Sequence, residues 1–352
     1  MKKFLCQCDH EVRFEDTQCR KCSTELGFDS QTMSMVAIKP SGQNLFITPD
    51  NRQFKRCQNG TEYGVCNWLI HQRESDQAYC FGCQFNRTVP NQQGDQQSPH
   101  SNRNRWHRLE QAKKRLLYSL MSLNLPLENG WNNPQSGLLF DFLEDTDELK
   151  VTTGHANGII TINSIEADDV ARISTKFALN ERYRTLLGHL RHESGHYFLS
   201  LLKPGPDIRR ELECLFGNIF EFDQDSYQQA LDTYYQNGPV ENWSDQYISA
   251  YASSHPLEDW AETWSHYLLI IDTLETAAEQ GQIDPTITEQ DAPTQIAAWR
   301  QLAHQLNQLN RSVGREDAYP FTISATVEKK IAAIGLAVNA LKALQPKTAV
   351  GC

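Results

Sequence analysis

No stretch of the 352-residue sequence approaches the ~20 consecutive apolar residues that a membrane-spanning helix requires. Ile331 to Leu344 comes nearest, and Asn339 and Lys342 mark it as one face of a helix in a soluble fold. No secretory leader is expected either, because Met1-Lys2-Lys3 is followed by only Phe4-Leu5-Cys6 before polar residues return. These absences lead to the expectation of a cytoplasmic protein with no membrane partner. There is no P-loop, dinucleotide fingerprint or repeat array. Excess positive charge is also missing. With 33 Lys and Arg against 44 Asp and Glu the formal charge is -11, which argues against a protein that coats nucleic acid. Cysteine is scarce over most of the chain: eight of the ten lie before residue 84, leaving only Cys214 and Cys352, which have no partners.

What is present divides the chain. Hydrophobic residues at 39% and charged residues at 22% describe a globular protein long enough for about two domains, not a disordered one. Residues 1–90 carry 11 Lys and Arg against 10 Asp and Glu, whereas residues 119–352 carry 16 against 32. Arg103 to Arg115 holds six basic residues and one acid, Glu110. Val89 to Asn104, rich in Gln, Asn, Ser and Pro, has linker composition. The expected organisation is a cysteine-rich head at 1–88, a linker at 89–105, and an acidic body at 106–345. From Trp106 to Leu125 apolar residues recur at three- and four-residue steps, which predicts a helix whose basic residues form its solvated face.

In the head, the pattern is Cys6-x-Cys8, Cys19-x-x-Cys22, Cys57-x8-Cys66 and Cys80-x-x-Cys83. In a thiol-reducing compartment such pairs read as metal ligands before disulfides. Tight Cys turns direct two thiolates at one ion, and two such turns complete a tetrahedral zinc site. Eight cysteines make two four-thiolate sites; grouping them in chain order is simplest, and an interleaved pairing stays open. Phe14, Leu26, Phe28, Trp68 and Phe81 offer little core, so zinc is expected to replace hydrophobic burial here. His10 and His71 are read as surface histidines. A net charge of only +1 gives the head no strong nucleic-acid footprint, so protein recognition is the favoured partner class.

In the body, Tyr183 to Leu202 reads as one helix stopped by Pro204-Gly205-Pro206, and it contains His192-Glu193-Ser194-Gly195-His196. This H-E-x-x-H spacing puts both imidazoles on one face, able to share a Zn²⁺, with Glu193 beside them as general base. A catalytic zinc needs a third protein ligand. Downstream, Ser253, Ser254 and Pro256 signal a helix start, after which Glu258, Glu262 and His266 share a face. Glu258 is preferred as ligand, with Glu262 holding the second ring nitrogen of a zinc-bound histidine. Glu262 or His266 as the ligand is the competing assignment. His189 is read as packing, and His155 has no assigned role. Gly158 to Asn163 has strand composition and, if it is a free sheet edge, could align an extended peptide. Pro293 to Val313 reads as a helix, and Ser324 caps a last one through Ala343.

These stretches together carry a resemblance. FEDTQCRKC, CNWLI, TGHANGIITINSIEADD, YRTLLGHLRHESGHY, YASSHPLEDWAETWSHYL and LNQLNRSVGREDAYPF resemble the bacterial zinc-binding metallopeptidases that carry an amino-terminal zinc ribbon. The resemblance covers nearly the whole chain, with one departure: Cys6-x-Cys8 stands where such ribbons usually show C-x-x-C. It implies an α+β fold, a mainly helical, zincin-like metallopeptidase domain with a small sheet behind a zinc ribbon. Tyr251, Glu258 and Glu262 are also similar to the gluzincin arrangement of the anthrax lethal factor type. That likeness implies that Tyr251 stabilises the oxyanion formed in peptide hydrolysis. The resulting expectation is a zinc peptidase acting on peptides or proteins, with one catalytic zinc and two structural ones. The alternative is a non-enzymatic zinc-ribbon regulatory or interaction protein whose H-E-x-x-H zinc is structural.

Overall fold

The computed structural model describes residues 1–344 except 75, 94–97, 99, 147, 149 and 179–183, so Tyr183, the end of the body at 345 and Cys352 lie outside the described residues. The head begins with a short antiparallel ribbon, β1 (Phe4–Leu5) with β2 (Glu11–Val12). A five-stranded antiparallel meander follows in chain order. Its strands are β3 (Glu25–Asp29), β4 (Ser34–Gly42), β5 (Leu45–Ile47), β6 (Gln53–Arg56) and β7 (Leu69–His71). Asn44 and Asn51 adopt φ of 54° and 64°, the left-handed conformation that asparagine tolerates, at the reversals from β4 to β5 and from β5 to β6. A single helical turn, α1 (Gln58–Thr61), separates β6 from β7.

The chain then enters the body as a strand. β8 (Asn86–Thr88) pairs in parallel with β9 (Leu139–Leu143), and the sheet runs β10-β11-β9-β8, with β10 (Gly154–Ala156) and β11 (Ile159–Asn163). Asn157 and Gly158 at φ of 50° and 79° turn the β10–β11 hairpin, as a two-residue loop of this kind requires. Ile159–Asn163 is therefore an inner strand, covered by β10 on one side and β9 on the other. The free edge beside the helices is β10. The gain in pairing explains the difference: His155 lies opposite Ile160 once the turn closes.

Helices build the rest: α2 (Asn102–Ser122), α3 (Asp169–Ala178), α4 (Leu186–Leu201), α5 (Pro206–Phe216), α6 (Gln224–Asn237), α7 (Pro256–Glu279), α8 (Ala292–Ser312) and α9 (Ala325–Lys342). Side-chain caps start several of them, including Ser101 on α2, Thr185 on α4 and Ser324 on α9. The fold is thus α+β, mainly helical after residue 102 with small sheets, and no helix among the described residues is long and apolar enough to cross a membrane.

Head and body share one core, contrary to the expectation of a head with little core of its own. Phe28 packs against Trp68 with ring centres 4.7 Å apart and planes tilted by 41°, and Phe14 meets Tyr118 of α2 edge-on at 5.6 Å, all of them buried. This docking also changes the reading of α2. Lys113 and Lys114 are not solvated but buried, facing a buried Glu110. Lys114 Nζ donates to the Val65 carbonyl at 3.1 Å, and Lys113 Nζ donates to Glu110 at 2.9 Å. Burial opposes the charge on Lys114, yet the nearby Cys66 and Cys83 thiolates and Glu110 hold its pKa well above the ordinary lysine value.

Candidate metal centre

The centre lies where α4 crosses α7. The two residues inside H-E-x-x-H that carry no metal chemistry make this crossing close. A Cβ placed on Gly195 would lie 3.0 Å from the Ala261 Cα and 3.1 Å from the Trp264 Cβ. Ser194 Oγ accepts from Trp264 Nε1 at 3.0 Å, and the Gly195 carbonyl accepts from Trp260 Nε1 at 2.9 Å. Pro256 occupies the first turn of α7, and the cap is His255, whose ring nitrogen accepts from the Leu257 N–H. Ser253 and Ser254, which signal this helix start in the sequence, stand just upstream of the cap. This start places Glu258 and Glu262, one turn apart, against the imidazole face of α4.

Three donor atoms converge. His192 Nε2 lies 3.3 Å from His196 Nε2 and 3.1 Å from Glu258 Oε2, and His196 Nε2 lies 3.4 Å from Glu258 Oε1. His192 Nδ1 sits 2.7 Å from Glu262 Oε1, and the other Glu262 oxygen accepts from Ser249 Oγ at 2.6 Å. The bond from Nδ1–H to Glu262 fixes the tautomer that turns the Nε2 lone pair toward Glu258 and His196. Glu258 Oε2 is buried with no hydrogen-bond donor on it. A buried carboxylate facing two imidazole nitrogens fits a divalent cation, and this N₂O set suits zinc. The electrostatics point the same way. Burial lowers the affinity of His192 for a second proton, but Glu258 and Glu262 raise its pKa well above the usual histidine value, so the pocket favours positive charge at its centre. Burial opposes ionisation of Glu258, yet His196 and His192 hold its carboxyl well below the usual range.

Glu193 is buried next to this group, and burial pushes its pKa up despite the neighbouring imidazoles. Tyr251 sits in a 3-10 turn (Tyr251–Ser253), its ring 6.1 Å from that of His192. His266 is not part of the cluster: it is buried one turn farther along α7, where its Nδ1 lies 2.8 Å from the Tyr319 hydroxyl. His189 faces Glu166, and His155 packs edge-on against Tyr197 with its pKa pushed down to about 4 by burial. Sequence spacing missed two groups. Ser249 supports Glu262, and Tyr227 of α6 donates to Glu258 Oε1 at 2.6 Å. Neither stands at a helical interval from the residue it supports.

The eight head cysteines converge in chain order. Cys6 and Cys22 sulfurs lie 3.6 Å apart, Cys8 and Cys19 3.7 Å, and Cys66 and Cys80 3.6 Å, within one cluster of four for each half. These separations are far too long for disulfides and match the ~3.8 Å edge of a tetrahedron with ~2.3 Å zinc–sulfur bonds. The short Cys6-x-Cys8 turn reaches its partners because Asp9, at φ 59°, returns its N–H to the Cys6 carbonyl. In the second cluster, the Cys80 and Trp68 N–H groups point at the Cys57 and Cys66 sulfurs at 3.4 Å. His71 takes no part and is bound to Asp29 at 3.0 Å.

Comparison with known proteins agrees with both halves. Residues 102–336 match the family described as putative zinc-binding metallo-peptidase, and residues 3–94 match a zinc-ribbon domain. An uncharacterised protein of Mycobacterium tuberculosis is 37% identical over 351 residues, covering 96% of each chain, and a Mycobacterium bovis protein matches equally. No solved structure matches the chain. Matched along most of its length, and with three donor clusters that suit zinc, the chain belongs to the zinc-binding metallo-peptidase family that carries an amino-terminal zinc ribbon.

Proposed function

We propose that the protein is a zincin-like, zinc-dependent peptidase in which His192, His196 and Glu258 hold the catalytic ion, while the two cysteine clusters hold structural zinc. The observation that carries this reading is the convergence of three donor residues, His192, His196 and Glu258, beside a buried Glu193. A three-ligand set keeps a coordination position open, unlike the closed four-cysteine sets. Bound zinc supplies a Lewis acid that activates water and polarises a peptide carbonyl. Glu193 takes the proton of the attacking water and returns it to the leaving amine, a role its upward-shifted pKa favours. Glu262 holds the His192 ring through Nδ1. Tyr251 donates to the oxyanion, and the edge strand β10 pairs with an extended peptide substrate. Residues 106–345 act as the catalytic unit, with β8 of the 1–88 head completing its sheet and 89–105 joining the two. Eight thiols serving as ligands fit a reducing, cytoplasmic setting.

The test is cleavage of an unbiased peptide library by the zinc-loaded full chain and its Glu193→Gln variant. The expected result is cleavage by the wild type, at least ~100-fold slower in the variant, with equal zinc content. Equal cleavage by both, or none by the wild type with its zinc in place, overturns the reading.

A further inference from the structure

Helix α6 is built unlike its neighbours. None of its described side chains is fully buried; Asp223 caps its start and Gly238, at φ 80°, ends it. It reaches the metal centre through two aromatic contacts. Tyr227 packs edge-on against His255 at 5.0 Å, and Tyr234 packs edge-on against Tyr251 at 5.7 Å. From this position the Tyr227 hydroxyl donates to Glu258 Oε1 at 2.6 Å. The other oxygen, Oε2, is left without a hydrogen-bond donor, 3.1 Å from His192 Nε2.

We infer that Tyr227, delivered by α6, is a positioning residue for Glu258: its phenol occupies Oε1 and leaves Oε2 as the single oxygen offered to the metal. This rests on the reading of Glu258 as the third ligand. A carboxylate that binds through both oxygens fills a coordination position that water or substrate needs; a phenol on one oxygen keeps that position open. The lightly buried helix makes the support conditional, because the phenol is in place only while α6 is docked.

The test uses the full-length protein with its cysteine sites loaded, titrating zinc into the remaining site in competition with a chromophoric chelator. Wild type, Tyr227→Phe and Glu258→Gln are compared. Tyr227→Phe removes one oxygen atom, and an unchanged thermal transition verifies its fold. It is expected to bind zinc roughly 10–100-fold more weakly. Cobalt(II) placed at the site is expected to show an altered visible spectrum in this variant. Amide hydrogen exchange along α6 is expected to slow on metal loading in the wild type, and less in the variant. Wild-type affinity, spectrum and exchange in Tyr227→Phe, with metal lost in Glu258→Gln, overturn this inference alone. Wild-type metal affinity in Glu258→Gln overturns the ligand assignment and the inference with it.

Discussion

The Cys57 cluster and the His192 centre are both converging donor sets, yet they are assembled in opposite ways. The four thiols come from short turns, all are buried, and they leave no face of a tetrahedron uncovered. The three donors of the other centre project from two long helices whose crossing is packed by Trp260, Trp264 and Phe198. Its imidazoles keep 12% and 16% of their side-chain surface exposed. The first set is expected to need an ion to fix its turns even though they join the shared core; in the second the helix packing exists without the ion. The expectation is a head that depends on its metal to fold and a body that folds without one.

The strongest way to break this comparison is Cys66→Ser. Structural zinc contributes on the order of 10–16 kcal/mol in zinc-finger peptides, comparable to the whole stability of a domain. Because Phe14 and Trp68 share their core with Tyr118 of α2, the variant is expected to lose the cooperative melting transition of the whole chain. His196→Ala, by contrast, is expected to keep that transition within a few degrees. A Cys66→Ser melt that matches the wild type contradicts the comparison. Next in size is Lys114→Met, which removes the buried cation beside Cys66 and Cys83 and leaves Glu110 with Lys113 alone. Urea unfolding should show a loss of about 3–5 kcal/mol. Gly195→Ala forces α4 and α7 apart by a few tenths of an ångström and should cost about 1–3 kcal/mol, read as a lower melting temperature. Glu262→Gln sharpens the comparison from the other side, with the smallest expected effect on folding. The melt should hardly move, while zinc affinity at the open centre falls roughly 10–100-fold in a chelator competition.

The chemistry-bearing residues were legible where chemistry imposes spacing. H-E-x-x-H and Cys-x-x-Cys are local patterns, and four-residue steps on a helix predict a shared face, so Glu258 and Glu262 could be named together. Groups placed by docking were not legible. Lys113 and Lys114 have the sequence appearance of a solvated face, and only the packing of α2 on the head buries them with Glu110. Tyr227 and Ser249 reach their carboxylates from separate segments, with no periodicity to announce them. Whether Ile159–Asn163 lay at the edge of the small sheet was not legible, because Gly154–Ala156 is too short and too polar to signal a strand until Asn157 and Gly158 fold it back. The interior of the body was more accessible. Helices at 292–312 and 325–342 follow their apolar periodicity and caps.

The proposed contrast between structural and catalytic metal is tested most directly by stepwise metal removal from the full chain, with bound zinc and helical circular dichroism followed together. Three ions per chain are predicted, one for each donor cluster. One should leave to a mild chelator with the helical signal and melting transition intact; the other two should leave only as the protein unfolds. Two ions in total, or three that depart in a single step together with the fold, would contradict the account.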